Sequence, residues 1–255
     1  MQSAIDQFQL SIGRVRDLVA LHNSIKAQAT SALDVSDILR AALVLSVSAL
    51  DYYIHEVVTL GMLEIYGGQR PEPTPSSNTT QSAFSRFQVS LGAARQDRIV
   101  ALNVASWLEN EVQQIQQEEG HAFLGQAQTI SAFIPAISNS MNRKLSNIAW
   151  LEREIRDRHS YQSFQQPDKI AEAIRLISDK KLWDEVAHKM GKPNRAKEIK
   201  QELSSIVDRR NKIAHEADID PSYNIGTRWP IDENQVDSAI NFIQQVVESI
   251  HQVIV

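Results

Sequence analysis

The chain has 255 residues, 42% of them hydrophobic and 22% charged, which is enough apolar content to close a sizeable core and too much for general disorder. It contains no cysteine, which excludes disulfide scaffolds, thiol nucleophiles and cysteine-ligated metal sites. Nine glycines and eight prolines are too few for a turn-rich β-sandwich or barrel, and a formal net charge of −5 leaves only a local basic face to attract a polyanion.

Almost every segment repeats its apolar residues at helical period. The first predicted helix covers about 4–29, with Ile5, Phe8, Ile12, Val15, Val19 and His22 on its inner face. The opening stretch MQSAIDQFQLSIGRVRDL is amphipathic and lacks the basic-then-apolar order of a secretory signal. A second helix starts at Asp34 or Ser36, either of which can cap it, and runs to about Tyr66 before Gly67 and Gly68. Its middle is apolar nearly all round, as expected of the central helix of a bundle. The run AALVLSVSAL at 41–50 is too short to cross a bilayer, so the expectation is a soluble, cytoplasmic chain with no membrane partner.

The segment QRPEPTPSSNTTQ at 69–81 reads as an exposed loop. Helical pattern resumes through Phe84, Phe87, Leu91, Ile99, Leu102, Trp107, Leu108, Val112 and Ile115, and Gly120, Gly125 and Pro135 break 120–140 into short pieces. Further helices are predicted over 141–158, from Pro167 through Ile177, and over KLWDEVAHKM up to Gly191. The next starts at Pro193, with Ile199, Leu203, Ile206 and Ile213 facing inward; after an irregular connection at 217–230, Asp232 caps a last amphipathic helix. The expected fold is an all-α antiparallel bundle, one domain over 1–255, with 69–190 a loop plus helical elaboration between the core helices.

Chemistry concentrates at the end of the penultimate helix, in Asp208-Arg209-Arg210-Asn211-Lys212-Ile213-Ala214-His215-Glu216. Arg16 with His22, and Arg153 with His159, share the loose spacing, but His22 lies on an inner helix face and REIRDRHS reads as a charged solvated face. With Asn211 directly after Arg210, and with the long apolar helix upstream, the 210–215 segment resembles the Arg-x4-6-His motif of the HEPN superfamily. The long middle region is similar to that of larger, RiboL-PSP-HEPN-like relatives. The resemblance implies a HEPN-type bundle acting as a homodimeric, metal-independent endoribonuclease. It further implies RNA as partner, no cofactor and no metal, a toxin or antiviral defence role, and a regulatory protein partner. Some family toxins are silenced by modification of a tyrosine two residues after the histidine; here that position is Ala217, which does not support such control.

The residue types suit that reaction. RNA cleavage without a metal needs a group that takes a proton from the ribose 2′-hydroxyl and a cation for the charged phosphorane. Histidine titrates near neutral pH and serves as base or acid. Arginine presents a fork of donors matched to phosphate oxygens. His215 and Arg210 are the candidate catalytic pair, Asn211 the helper, with Arg209 the alternative cation. Five residues apart, Arg210 and His215 sit about 140° from each other on a regular helix. Either the helix is irregular near Ala214, or the arginine side chain wraps round. One histidine per chain serves poorly as both base and acid, so a two-fold dimer is expected, with the second and last helices offering pairing surfaces.

Lys197, Lys200, Arg209 and Lys212 are candidate RNA-binding residues within a locally basic stretch; a solvated helix of mixed charge is the alternative. Asp208 is either a tether for the imidazole or an ordinary surface charge. In the second helix, Asp51 and His55 are one turn apart and able to pair, and His55 and Glu56 are candidate cleft-lining residues. The four tryptophans read as core anchors rather than base platforms. No P-loop, GxGxxG, HExxH or DxDxDG motif is present. A non-catalytic dimeric scaffold or nucleotide- or RNA-sensing subunit is the second reading. An unrelated helical interaction protein is the third.

Overall fold

A computed structural model describes residues 1–28, 30, 33–75, 82–84, 87, 109–110, 113, 117, 138–139, 148–222 and 225–255. Most of the expected helical stretch at 84–115, including Trp107, most of the 120–140 region, and residues 76–81 of the expected loop lie outside the described residues. The described part holds seven helices: α1 (Gln2–Gln28), α2 (Ser36–Tyr66), α3 (Ile148–His159), α4 (Pro167–Ile174), α5 (Leu182–Lys189), α6 (Ala196–Glu216) and α7 (Glu233–Ile254). Among those residues the β pairing is a single antiparallel bridge between Ile219 and Arg228. The described residues therefore form an all-α structure. The chain divides into two compact units, Met1–Phe84 with Arg158–Val255, and Ser85–Asp157.

In the first unit α2 is the central element and packs against α1, α4, α6 and α7. Its apolar sequence explains this place: Leu39, Leu43, Val47, Leu50, Tyr53, Ile54, Val57, Val58 and Met62 are all buried. By length and composition α2 would span a bilayer, but more than half of its most apolar window is buried inside the protein. Asp34 serves its start, accepting a hydrogen bond from the Ser36 N–H at 2.9 Å. At its end the Gly67 N–H donates to Leu63 O at 2.9 Å and Gly68 takes a left-handed φ of 72°. Tyr53 meets the Phe8 ring edge-on at 5.9 Å and its hydroxyl lies 3.2 Å from His251 Nδ1 on α7. Burial pushes the Tyr53 phenol far up, so it stays protonated.

α7 begins where expected, with the Asp232 carboxylate accepting from the Gln235 N–H at 2.8 Å. Val236, Ile240, Ile243, Val247, Ile250 and Ile254 are all buried against the bundle. Its apolar face is therefore spent on the core. α4 and α5 belong to this unit as well, packing on each other and on α6.

α6 differs from expectation at both its start and its face. Pro193 lies in a turn, because Asn194 takes a left-handed φ of 67°, and the helix opens only at Ala196. Its buried stripe is Ile199, Leu203 and Val207; Ile206 and Ile213 are half-buried to one side. The strict four-residue step through Ile199 and Leu203 selects Val207, and taking Ile206 and Ile213 instead rotates the face.

In the second unit the described residues are chiefly those of α3. An ion pair one turn apart, Arg156 Nε to Glu152 Oε1 at 2.9 Å, runs along it, and Ile155 is fully buried.

Candidate functional site

The expected motif occupies the last two turns of α6, which is unbroken through Glu216. The helix is thus regular at Ala214, so the backbone leaves Arg210 and His215 about 140° apart and only the length of the arginine side chain can join them. Arg210 Nη1 donates to Asn211 Oδ1 at 3.0 Å, which draws the head group toward the face that Asn211 shares with His215 one turn on. Arg210 follows the spacing of Ile199, Leu203 and Val207, so its stem is half-buried, and its Nε is buried without a hydrogen-bond partner. An unspent buried donor is costly to keep, and such groups concentrate where a ligand or catalysis uses them. Asn211 is half-buried and His215 exposed.

What fixes this helix end is a residue sequence reading passed over. Ala217 and Asp218 take consecutive left-handed φ values of 52° and 59° and turn the chain back on itself. That turn points the Asp218 carboxylate inward, where it is fully buried. Arg40 Nε of α2 donates to its Oδ2 at 2.7 Å, and Arg209 pairs with Oδ1 at 2.7 Å and Oδ2 at 2.9 Å. The two guanidiniums also hold the segment that follows: Arg40 Nη2 donates to Trp229 O at 2.9 Å and Arg209 Nη2 to the same oxygen at 3.2 Å. The Trp229 N–H closes the set on Asp218 O at 2.9 Å. Burial pulls the Arg209 pKa down, with Asp218 opposing and Arg40 adding to the effect. Arg209 therefore spends its donors inside the protein, which distinguishes it from Arg210. Arg40 gave one sequence signal of this arrangement: a charge inside the apolar run LRAALV needs a buried partner.

The remaining expected residues are placed as follows. Lys212 is exposed, its ammonium 5.0 Å above the Trp229 ring. Lys197 and Lys200 line an open groove of about 740 Å³ at the start of α6, beside Trp183 and Asp184. Lys200 is paired with Asp168 at 2.6 Å. Ser205 also lines a second, about 450 Å³ cleft floored by Leu43, Ile206 and Val236 and edged by Arg209, so the two hollows follow α6 toward the motif. Asp208 accepts from Gln166 Nε2 at 3.2 Å.

His55 lies 3.6 Å from Asp51, as the one-turn spacing suggests, but the Asp51 oxygens are already taken by the Phe164 N–H at 2.6 Å and Gln165 Nε2 at 2.9 Å. The His55 ring packs on Phe164 at 4.5 Å and faces His159 at 6.3 Å. Glu56 is half-buried on the same helix. His159, expected on a solvated face, is instead buried: the chain turns after it and folds Phe164 back over its ring at 5.4 Å. Of the tryptophans, Trp183 is a core anchor, with Nε1 donating to Pro167 O at 2.9 Å, whereas Trp229 is only half-buried.

Among the described residues no group of three or more metal-ligating side chains converges. The site is an exposed imidazole, a half-buried guanidinium with an unused donor and an amide between them, on a helix end braced by a buried ion triad. A family profile described as RiboL-PSP-HEPN matches residues 74–255, well over half of the chain. The chain belongs to the RiboL-PSP-HEPN family, and so carries a HEPN-type domain, a class whose members are often RNases. No curated protein and no solved structure shows a significant match to it.

Proposed function

We propose that this protein is a metal-independent endoribonuclease that acts as a homodimer, with Arg210, Asn211 and His215 as its cleavage residues. The observation that carries this is the Arg210–Asn211 hydrogen bond at 3.0 Å, which ties an arginine with an unspent buried Nε to a residue one turn before the exposed His215. The His215 imidazole of one protomer takes the proton from a ribose 2′-hydroxyl. The freed oxygen bonds to phosphorus, the bond from phosphorus to the 5′-oxygen breaks, and the leaving oxygen takes a proton from the partner subunit's His215. Products are a 2′,3′-cyclic phosphate and a 5′-hydroxyl. Arg210 holds the non-bridging oxygens as charge builds on them, and Asn211 sets the arginine's direction.

RNA approaches along α6, over Lys197, Lys200 and Lys212, toward the motif. Unrestrained RNA cutting harms its host, which supports a cytoplasmic toxin or antiviral effector held in check by a protein partner. The test is incubation of the pure protein with RNA in excess EDTA, beside His215→Ala and Arg210→Ala. Cleavage that survives EDTA, yields cyclic-phosphate ends and drops at least a hundredfold in both variants is expected. An intact dimer that binds RNA without cutting it would replace this reading with that of a non-catalytic sensing subunit.

A further inference from the structure

Trp229 is built unlike the other described tryptophan of this unit. Trp183 is sunk in the core with its indole N–H satisfied, while Trp229 is half-buried and covered by a lysine. Its backbone is nevertheless pinned: the N–H to Asp218 O, and the carbonyl oxygen to both Arg40 and Arg209. With the backbone pinned, only the two side-chain torsions of the indole remain to be ordered when something docks on it. Its cap, the Lys212 ammonium at 5.0 Å, is exposed, so the cation–π contact is weak and the lysine is free to swing away.

Lys212 and Asn211 precede His215 by three and four residues, so both neighbour it on the helix surface, one on each side. Arg210 with Asn211 therefore lies on one flank of the imidazole, and Lys212 with Trp229 on the other. We propose that Trp229 is a nucleobase-stacking residue beside the scissile phosphate, and that Lys212 leaves its ring to hold an adjoining phosphate when the base arrives. The proposal rests on the endoribonuclease reading and adds a specificity element to that site. Stacking on an aromatic face tolerates every base but requires one that is out of a duplex, so the substrate is unpaired RNA.

The test uses a 2′-deoxy oligonucleotide, which lacks the attacking hydroxyl, and an abasic oligomer of the same length and charge. The full chain is expected to bind the base-bearing strand about tenfold more tightly and with quenched tryptophan fluorescence. Trp229→Leu is expected to level the two affinities, and Trp229→Phe to keep the preference while losing most of the quench. Equal affinity of the full chain for both strands, or an undiminished preference in Trp229→Leu, overturns the proposal. If the leucine variant fails to fold by circular dichroism, the phenylalanine variant decides: an unchanged quench there overturns it. Binding of an uncleavable strand is independent of chemistry. Cleavage that depends on His215 without base preference therefore removes only the stacking role, and base preference without cleavage removes only the nuclease reading.

Discussion

Asp218 shows how much one side chain can carry. A fully buried carboxylate between Arg40 and Arg209 leaves two cations facing each other if it is removed. Breaking a buried ion pair by deleting one partner costs about 3–5 kcal/mol. Asp218→Ala is therefore expected to lower stability by about that amount in urea titrations, whereas His215→Ala, at an exposed position, changes it little. Equal effects of the two would show that the triad does not brace the helix end. A second residue governs acid stability. Burial, then the neighbouring charges of His55 and Arg158, pull the His159 pKa from 6.5 down to about 4. The unfolded chain binds this proton below about pH 6.5 and the folded chain only near pH 4. Its contribution is thus full above 6.5 and lost as the pH falls toward 4, on the order of 3 kcal/mol. His159→Phe, an aromatic ring in the same pocket, is expected to flatten that part of the stability profile; an unchanged slope between pH 7 and 4 would assign the loss to carboxylates.

At the scale of elements, α2 is held close to the segment after α4. A Cβ added at Gly61 would sit 2.7 Å from Ile177 Cγ2, inside any real contact distance. Gly61→Ala is expected to destabilise by about 1–3 kcal/mol despite the better helix propensity of alanine, and a truncated partner, Ile177→Ala, which removes the Cγ2 and Cδ1 that meet the new methyl, should cost less in that background than in the parent. Additive effects would mean that the two do not press on each other. The described helices were readable from sequence, because apolar residues at three- and four-residue steps report a face directly. Asp232 as cap, Pro167 as first helical residue and Gly67 as terminator all acted as local chemistry predicts. The start of α6 was not readable, since proline's fixed φ suits a first turn but says nothing of the left-handed Asn194 after it. The Asp218 triad joins residues 178 positions apart in sequence, and nothing local announces such a contact. The sequence preferred Arg210 to Arg209 only because Asn211 follows it; the packed structure shows that Arg209 spends its donors on Asp218 and the Trp229 carbonyl.

For the whole molecule, the proposed dimer needs a surface that brings two sites together. The last helix offered one from sequence, yet its apolar residues are consumed by the core. α2 keeps an outward stripe in which Leu45 and Tyr52, one heptad apart, remain 47% and 50% exposed, with Ala41 and Ser48 on the same line. If a second copy docks there, Leu45→Glu is expected to shift the protein to monomer in sedimentation experiments and to abolish cleavage with helicity unchanged. A wild-type protein that stays monomeric at micromolar concentration would sink the two-imidazole scheme.

The last turn of a helix ordinarily frays, opening and closing far faster than the protein unfolds. Here the Asp218 N–H returns to Lys212 O at 3.1 Å and its carboxylate is stapled to α2, so the terminal amides share the fate of the bundle. Deuterium should enter the backbone around Ala214–Asp218 only about as often as the whole first unit opens. The imidazole would then ride on a platform that cannot loosen alone, and its readiness to react would be set by global rather than local melting.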